Sequence, residues 1–184
     1  MLKKILAVLG TVLAVILVTA ALRPSQYEVS RSAVAHAPAA VVYAQLDDFS
    51  AWAAWSPWEK LDPGMKKEHG GTPRRVGATY TWSGNDDVGS GKMTIVRREA
   101  PALLGIRLEF IAPFAAVADT EFQVTDTGAD AVQITWTMRG TNDFVGKVFG
   151  LFMDMDSAIG KDFERGLGDL VKVSEQRAGE ELAV

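Results

Sequence analysis

The longest uninterrupted apolar stretch stands at the start of the chain, where Met1-Leu2-Lys3-Lys4 is followed by an uncharged run from Ile5 to Leu22 that closes on Arg23-Pro24. At about 1.5 Å per residue the run falls just short of the roughly 30 Å hydrocarbon core, adequate for a transmembrane helix with snorkelling ends. Shorter periods follow. "YEVSRSAVAH", from Tyr27 to His36, alternates apolar and polar residues as a first strand with one buried face would. In "APAAVVYAQLDDF", Pro38 suits a first helical position, and Val41, Val42, Ala44 and Leu46 supply an apolar side. A short helix or turn, "SAWAAWSPW", stops at Ser56-Pro57 and spaces Trp52, Trp55 and Trp58 by three residues. Such a stripe is expected to pack in the core under a bent helix pair.

From Lys66 onward the pattern becomes short strands separated by turn chemistry. "ATYTW" puts Tyr80 and Trp82 on one face; "SGNDDVGSG" then turns the chain with residues that tolerate left-handed conformations. Period-two alternation continues through Met93 and Ile95, then Leu104, Ile106, Leu108 and Phe110, then Phe122 and Val124. It ends with Val132, Ile134, Trp136 and Met138. These strands predict an antiparallel sheet with one dry and one wet face. The dry face needs a cover, and one segment offers it. From Asp143 to about Gln176, the residues Val148, Phe152, Met155, Ile159, Phe163, Gly166, Leu170 and Val173 recur at steps of three and four. That spacing predicts one long amphipathic helix. The expected class is α+β, a curved antiparallel sheet wrapped around a long C-terminal α-helix, preceded by an N-terminal transmembrane helix. The expected division is an anchor over 1–23, a ligand-binding domain over 24–176 and a fraying tail over 177–184.

Composition narrows the function. With 48% hydrophobic and 23% charged residues, the 184-residue chain suits one globular domain once the first segment is set aside. Removing residues 1–23 takes away Lys3, Lys4 and Arg23 and no acid, so the formal charge falls by three, from −4 to −7. So acidic a body is not expected to bind nucleic acid or to dock on anionic lipid through a basic patch. There are no cysteines, which excludes disulfides, thiolate metal sites and cysteine nucleophiles. The two histidines, His36 and His69, lack a second imidazole at ligand spacing, so neither metal nor cofactor is expected. Lys3 and Lys4 favour a cytoplasmic N-terminus, with the domain on the extracytoplasmic side. The alternative is a signal peptide, cleaved near Val18-Thr19-Ala20 to leave a secreted or periplasmic domain; the apolar run exceeds the usual 7–15-residue h-region, which favours the anchor.

"GLFMDMDSAIGKDFERGL", Gly150 to Leu167, holds four carboxylates. On a helix Asp154 and Asp156 diverge by roughly 200°, so they form no dyad. Asp154 falls on the face of Lys161, Arg165 and Lys172; Glu164 turns away from the apolar stripe, and Asp162 and Asp156 border it on opposite sides. Asp156 is the carboxylate expected to matter. It either accepts a hydrogen bond from an indole such as Trp82 or Trp58, or from a backbone amide, fixing the helix, or serves as an acid or base with a perturbed pKa. No nucleophile elbow, phosphate loop or metal motif is present.

The order of elements resembles the START-related SRPBCC superfamily and its helix-grip fold. "WSPW" (Trp55–Trp58), "GATYTWSGNDDVGSGKMTI" (Gly77–Ile95), "LEFIAPF" (Leu108–Phe114) and the 150–167 segment look like a bacterial, polyketide cyclase-like subfamily in which an N-terminal membrane segment is common. The resemblance implies a cavity between the sheet and the C-terminal helix. Strand parity and helix face give its expected lining: Trp58, Tyr80, Trp82, Met93, Ile95, Ile106 and Leu108, with Phe110, Trp136, Met155, Asp156, Ile159 and Phe163. The opposing expectation is a closed core in which these side chains interlock. Gly160 and Gly166 in the closing helix suggest close approach or spare room, since each costs about 1 kcal/mol against alanine.

Three functions fit. The leading one is a membrane-tethered module that binds a small hydrophobic molecule, such as a lipid, quinone or polyketide-like aromatic. A second is a polyketide cyclase or dehydratase-like enzyme using Asp156 and Tyr80. A third is an envelope interaction module presenting the Ser83–Gly91 loop. Fold alone does not choose among them.

Overall fold

The structure, a computed structural model, describes residues 1–128 and 130–182. Helix α1 (Leu2–Leu22) leads into β1 (Gln26–Ala35), α2 (Ala39–Leu46) and a 3₁₀ helix (Phe49–Ala54). Strands β2 (Lys66–Gly70), β3 (Thr79–Ser83), β4 (Ser90–Glu99), β5 (Leu103–Ala112), β6 (Ala116–Gly128) and β7 (Ala131–Thr141) follow, then α3 (Phe144–Phe149) and α4 (Met155–Leu182). The strands form one antiparallel sheet in the order β1-β7-β6-β5-β4-β3-β2. This is the helix-grip fold, preceded by one helix long and apolar enough to cross a membrane.

The register carries the period-two pattern across the sheet. Tyr80 lies opposite Met93, and Met93 opposite Leu108. Leu104 pairs with Phe122, and Phe122 with Trp136. The apolar side chains of successive strands therefore share one face. Register shifts at Ser90/Gly91 and Ile95/Arg97 interrupt β4 where the sheet curves around its contents. Helix α2 and the 3₁₀ helix close one end of the sheet. There Tyr43 Oη donates to the Leu103 carbonyl (2.8 Å), and buried Asp47 accepts from Arg98 (2.7 Å). Trp52 and Trp55 lie in the core, 4.7 Å apart between ring centroids, as their spacing predicts.

The C-terminal segment departs from the single helix expected over 143–176. It is two helices with a joint at Gly150–Asp154, and Phe152 points into solvent instead of onto the sheet. Each helix has its own aspartate cap. Asp143 accepts from the Gly146 amide (2.7 Å), and Asp154 from the Ser157 amide (3.2 Å) and hydroxyl (2.6 Å). Asp154 is therefore the start of α4, not a mid-helix residue facing Lys161. At the other end α4 runs to Leu182, past the expected end at 176, so 177–182 are helical; 183–184 lie outside the described residues. Gln176 and Arg177 both reach Glu180, and Ala178 is buried, which extends the helix.

Both helix glycines answer to close approach, not to spare room. A Cβ on Gly160 would collide with the guanidinium of Arg31; one on Gly166 would stand 3.0 Å from both Pro57 Cδ and Trp136 Cζ3.

Candidate ligand cavity

Helix α4 packs chiefly along β1, which leaves the inner face of β3–β5 to be roofed by the segment from Trp52 to Met65. Between roof, sheet and helix lies a cavity of about 250 Å³. The side chains of this core therefore do not interlock completely. The sheet contributes Tyr80, Trp82, Met93, Leu108 and Phe110; Trp136 and Met138 continue the same face. Helix α4 contributes Ile159, Asp162 and Phe163, and the roof adds Trp58. The walls are held by aromatic contacts. Trp136 and Phe163 stack at 4.0 Å with 7° between planes, and Trp58 meets Trp136 edge-on at 5.7 Å. Trp82 stacks on Tyr80 and meets Phe110 edge-on.

Most polar atoms on the aromatic and sheet side of the wall have protein partners. Tyr80 Oη donates to Glu59 Oε1 (2.6 Å), and Lys67 pairs with the other carboxylate oxygen. Burial, and then the bond to Glu59, raise the Tyr80 pKa far above the ordinary phenol range, so the hydroxyl stays protonated as a donor. Thr120 Oγ1 accepts from Trp136 Nε1 (2.9 Å) and donates to the Thr137 carbonyl (3.1 Å). Trp82 Nε1 donates to the Val88 carbonyl (3.0 Å), tying the 84–89 loop to the rim.

Nine of the thirteen residues expected to line the cavity do so; Ile95, Ile106, Met155 and Asp156 do not. Ile95 and Ile106 are cross-strand partners, fully buried in the core beyond the lining. Met155 and Asp156 border a surface hollow beside Arg23 and Tyr27. Asp156 meets no indole. Its carboxylate accepts from Arg31 Nη1 (3.1 Å) and Nη2 (3.0 Å), while Arg31 Nε donates to Glu164 (2.9 Å). The pair Asp156 and Tyr80 is thus not assembled, and the carboxylates at the cavity are Glu59, Asp87 and Asp162. Thr120, two residues before Phe122 on β6, shares its inward face and was not among the residues expected. Glu59 and Met65 sit in an irregular segment that carries no period, so no pattern pointed to them. Among the described residues no group of three His, Asp or Glu side chains is arranged to hold a metal.

A family model described as polyketide cyclase / dehydrase and lipid transport matches residues 26–175. The chain belongs to this family. Its membership places the polyketide cyclase / dehydrase and lipid transport fold, that of the SRPBCC superfamily, over all seven strands and most of α4. Solved structures agree on the fold. A protein from Thermobifida fusca, 21% identical, superposes with a TM-score of 0.62 over 81% of this chain and 93% of its own. A hypothetical protein from Helicobacter pylori, 16% identical, gives 0.62 over 80% and 88%. The ZhuI aromatase/cyclase from a Streptomyces species, 15% identical, gives 0.59 over 83% and 95%. No curated protein matches the sequence.

Proposed function

We propose that this member of the polyketide cyclase / dehydrase and lipid transport family is a membrane-tethered module that binds a small hydrophobic molecule. The observation that carries the reading is the 250 Å³ cavity, walled mainly by aromatic and aliphatic side chains, with the phenol of Tyr80, the hydroxyl of Thr120 and the indole of Trp136 already bonded within the protein. That volume lies just under the roughly 300–1,000 Å³ of drug-sized sites, which suits a compact aromatic or a short acyl segment. Full-length protein purified in detergent and examined by native mass spectrometry is expected to carry such a molecule, or to take up an apolar fluorophore with quenching of its indole emission. Protein that carries nothing and takes up no fluorophore overturns the reading.

The tether is α1. Lys3 and Lys4 precede it, and its last turn is engaged by the domain: Ala20 is fully buried and Arg23 Nη1 donates to the Gly150 carbonyl. An anchor retained on an extracytoplasmic domain predicts an intact mass beginning at Met1 in the membrane fraction. A mass beginning after residue 20 overturns the anchor and supports the cleaved form.

Glu59 supports a second reading, a cyclase or dehydratase-like activity. Its carboxylate is 8% exposed, faces the cavity and is flanked by a hydroxyl donor. Turnover of an aromatic or polyketide-like substrate that disappears in Glu59→Gln, with the fold retained, would establish it. In the loop Ser83–Gly91, the partner-binding surface of a third reading, Asp87 and Val88 border the cavity.

A further inference from the structure

The strand register defines two ends of the sheet, and they differ in character. Ser83 pairs with Ser90, and Ser90 with Ala112, so the β3–β4 loop and the β5–β6 turn lie at one end. Gln26 pairs with Thr141 at the same end, which brings together the exit of α1 and the start of α3. Only Pro24 and Ser25 separate Arg23 from β1, and Ser25 accepts from the Asn142 amide (2.7 Å). The opposite end carries α2, the β4–β5 turn and the β6–β7 turn.

Exposed apolar side chains collect at the α1 end. Four of the eight phenylalanines are exposed, and all four are here: Phe114 at the β5–β6 turn, Phe144 and Phe149 on α3, and Phe152 in the joint. Phe152 and Phe114 are 74% and 76% exposed, and Met153 and Val145 stand beside them. A soluble surface rarely carries so large an unshielded aromatic group. The cavity extends to this end. Val88 and Asp87 of the β3–β4 loop border it, as does Met65, which precedes the pairing of Lys66 with Ser83.

We infer that this end of the domain inserts its phenylalanines into the bilayer interface in which α1 is anchored, so that the cavity mouth faces the lipid. The occupant follows from continuity with α1, because Arg23 closes the apolar run and holds the joint through the Gly150 carbonyl. Aromatic side chains on a short amphipathic element beside a span sit at the depth of headgroups and first acyl carbons. The attachment is apolar in character, since Asp86, Asp87, Asp143 and Asp154 at this end offset Arg23, Lys66 and Lys147 and leave no net basic patch for anionic lipid. The inference rests on the proposed anchor and ligand-binding reading and adds to it a route: the guest passes from lipid to cavity without crossing water.

The absence of native cysteines allows a direct test. Full-length Phe114→Cys, Phe152→Cys and, as the far-end control, Ala102→Cys are labelled with an environment-sensitive fluorophore and reconstituted into phosphatidylcholine nanodiscs. Labels at 114 and 152 are expected to shift to the blue and to lose intensity when the lipid carries a doxyl quencher, whereas the label at 102 responds only to aqueous iodide. Iodide quenching at 114 and 152 equal to that at 102 overturns the inference. So does shielding from both quenchers, which would mark a protein surface covering the patch. Native mass spectrometry of the same samples reads ligand separately, so bound ligand with water-exposed labels would sink the docking and leave the binding reading intact.

Discussion

Gly166 lies directly against Trp136: a Cβ at residue 166 would stand 3.0 Å from the indole Cζ3, with Pro57 Cδ equally near. Phe163 stacks on one face of the indole at 4.0 Å and Trp58 meets it edge-on, which limits how far it yields. Gly166→Ala therefore overpacks the helix–sheet contact, and the penalty of roughly 1–3 kcal/mol exceeds the helix propensity gained. At Gly160 the obstacle is the far end of the Arg31 side chain, which swings aside with loss of its exposed bonds to Asp156 and Glu164, so Gly160→Ala costs less than Gly166→Ala. Urea denaturation compares the two. Equal midpoints for both variants would show that neither glycine is required by packing.

Tyrosine ionisation reports on burial. The chain has three tyrosines, and burial raises the pKa of all of them, most of all Tyr80, where the bond to Glu59 adds to it. A folded pKa above the unfolded value of about 10 means that the contribution to stability is complete below pH 10 and is lost as pH rises toward the folded pKa. In ultraviolet titration Tyr80, identified as the phenolate signal missing from Tyr80→Phe, is expected to ionise only together with alkaline unfolding. A reversible phenolate signal near pH 10 that Tyr80→Phe removes, with native circular dichroism, would contradict the buried Tyr80–Glu59 bond. Tyr80→Phe should cost about 1.5–3 kcal/mol, the scale of a hydrogen bond to a charged acceptor.

Leu108→Trp places an indole in the cavity from a sheet position between Met93 and Ala118. Filling existing space is tolerated better than enlarging a packed core. The variant is expected to keep its thermal transition within a few degrees while losing uptake of an apolar fluorophore. Retained uptake would mean that the fluorophore binds elsewhere.

Asp154 links acid pH to the α3–α4 joint. Its bonds to the Ser157 hydroxyl and amide hold its carboxyl below the ordinary range. The stabilisation is therefore present above the ordinary carboxylate pKa and is lost as pH falls through the lower folded value. Hydrogen exchange at Ser157–Ile159 should quicken in Asp154→Ala at neutral pH and match the parent protein in acid. Unchanged exchange at neutral pH would mean that the cap does not hold the first turn of α4.

The strands were legible because a two-residue period is unambiguous once turn residues bound it. Tyr80, Met93, Leu108 and Trp136 lie on the face that their parity assigned. The α3–α4 joint was hidden because Val148, Phe152 and Met155 keep a helical spacing across it. Only the paired caps, Asp143 and Asp154, mark the break. Asp156 was misplaced for a different reason. Its partner Arg31 lies 125 residues away on β1, and a helical wheel carries no information about which sheet residue crosses above it. Glu59, in a stretch without period, becomes visible only when Tyr80 is seen to reach it.

The hydroxyls of Tyr80 and Thr120 and the indole nitrogens of Trp82 and Trp136 are all engaged within the wall. Apart from the carboxylates of Glu59, Asp87 and Asp162, such a chamber has little hydrogen bonding left to offer a visitor and sorts largely by size and shape. Sorting of that kind is coarse, worth about 10–200-fold for each methylene gained or lost. What occupies the chamber in a cell is then decided as much by which molecules are dissolved nearby as by the protein's own preference.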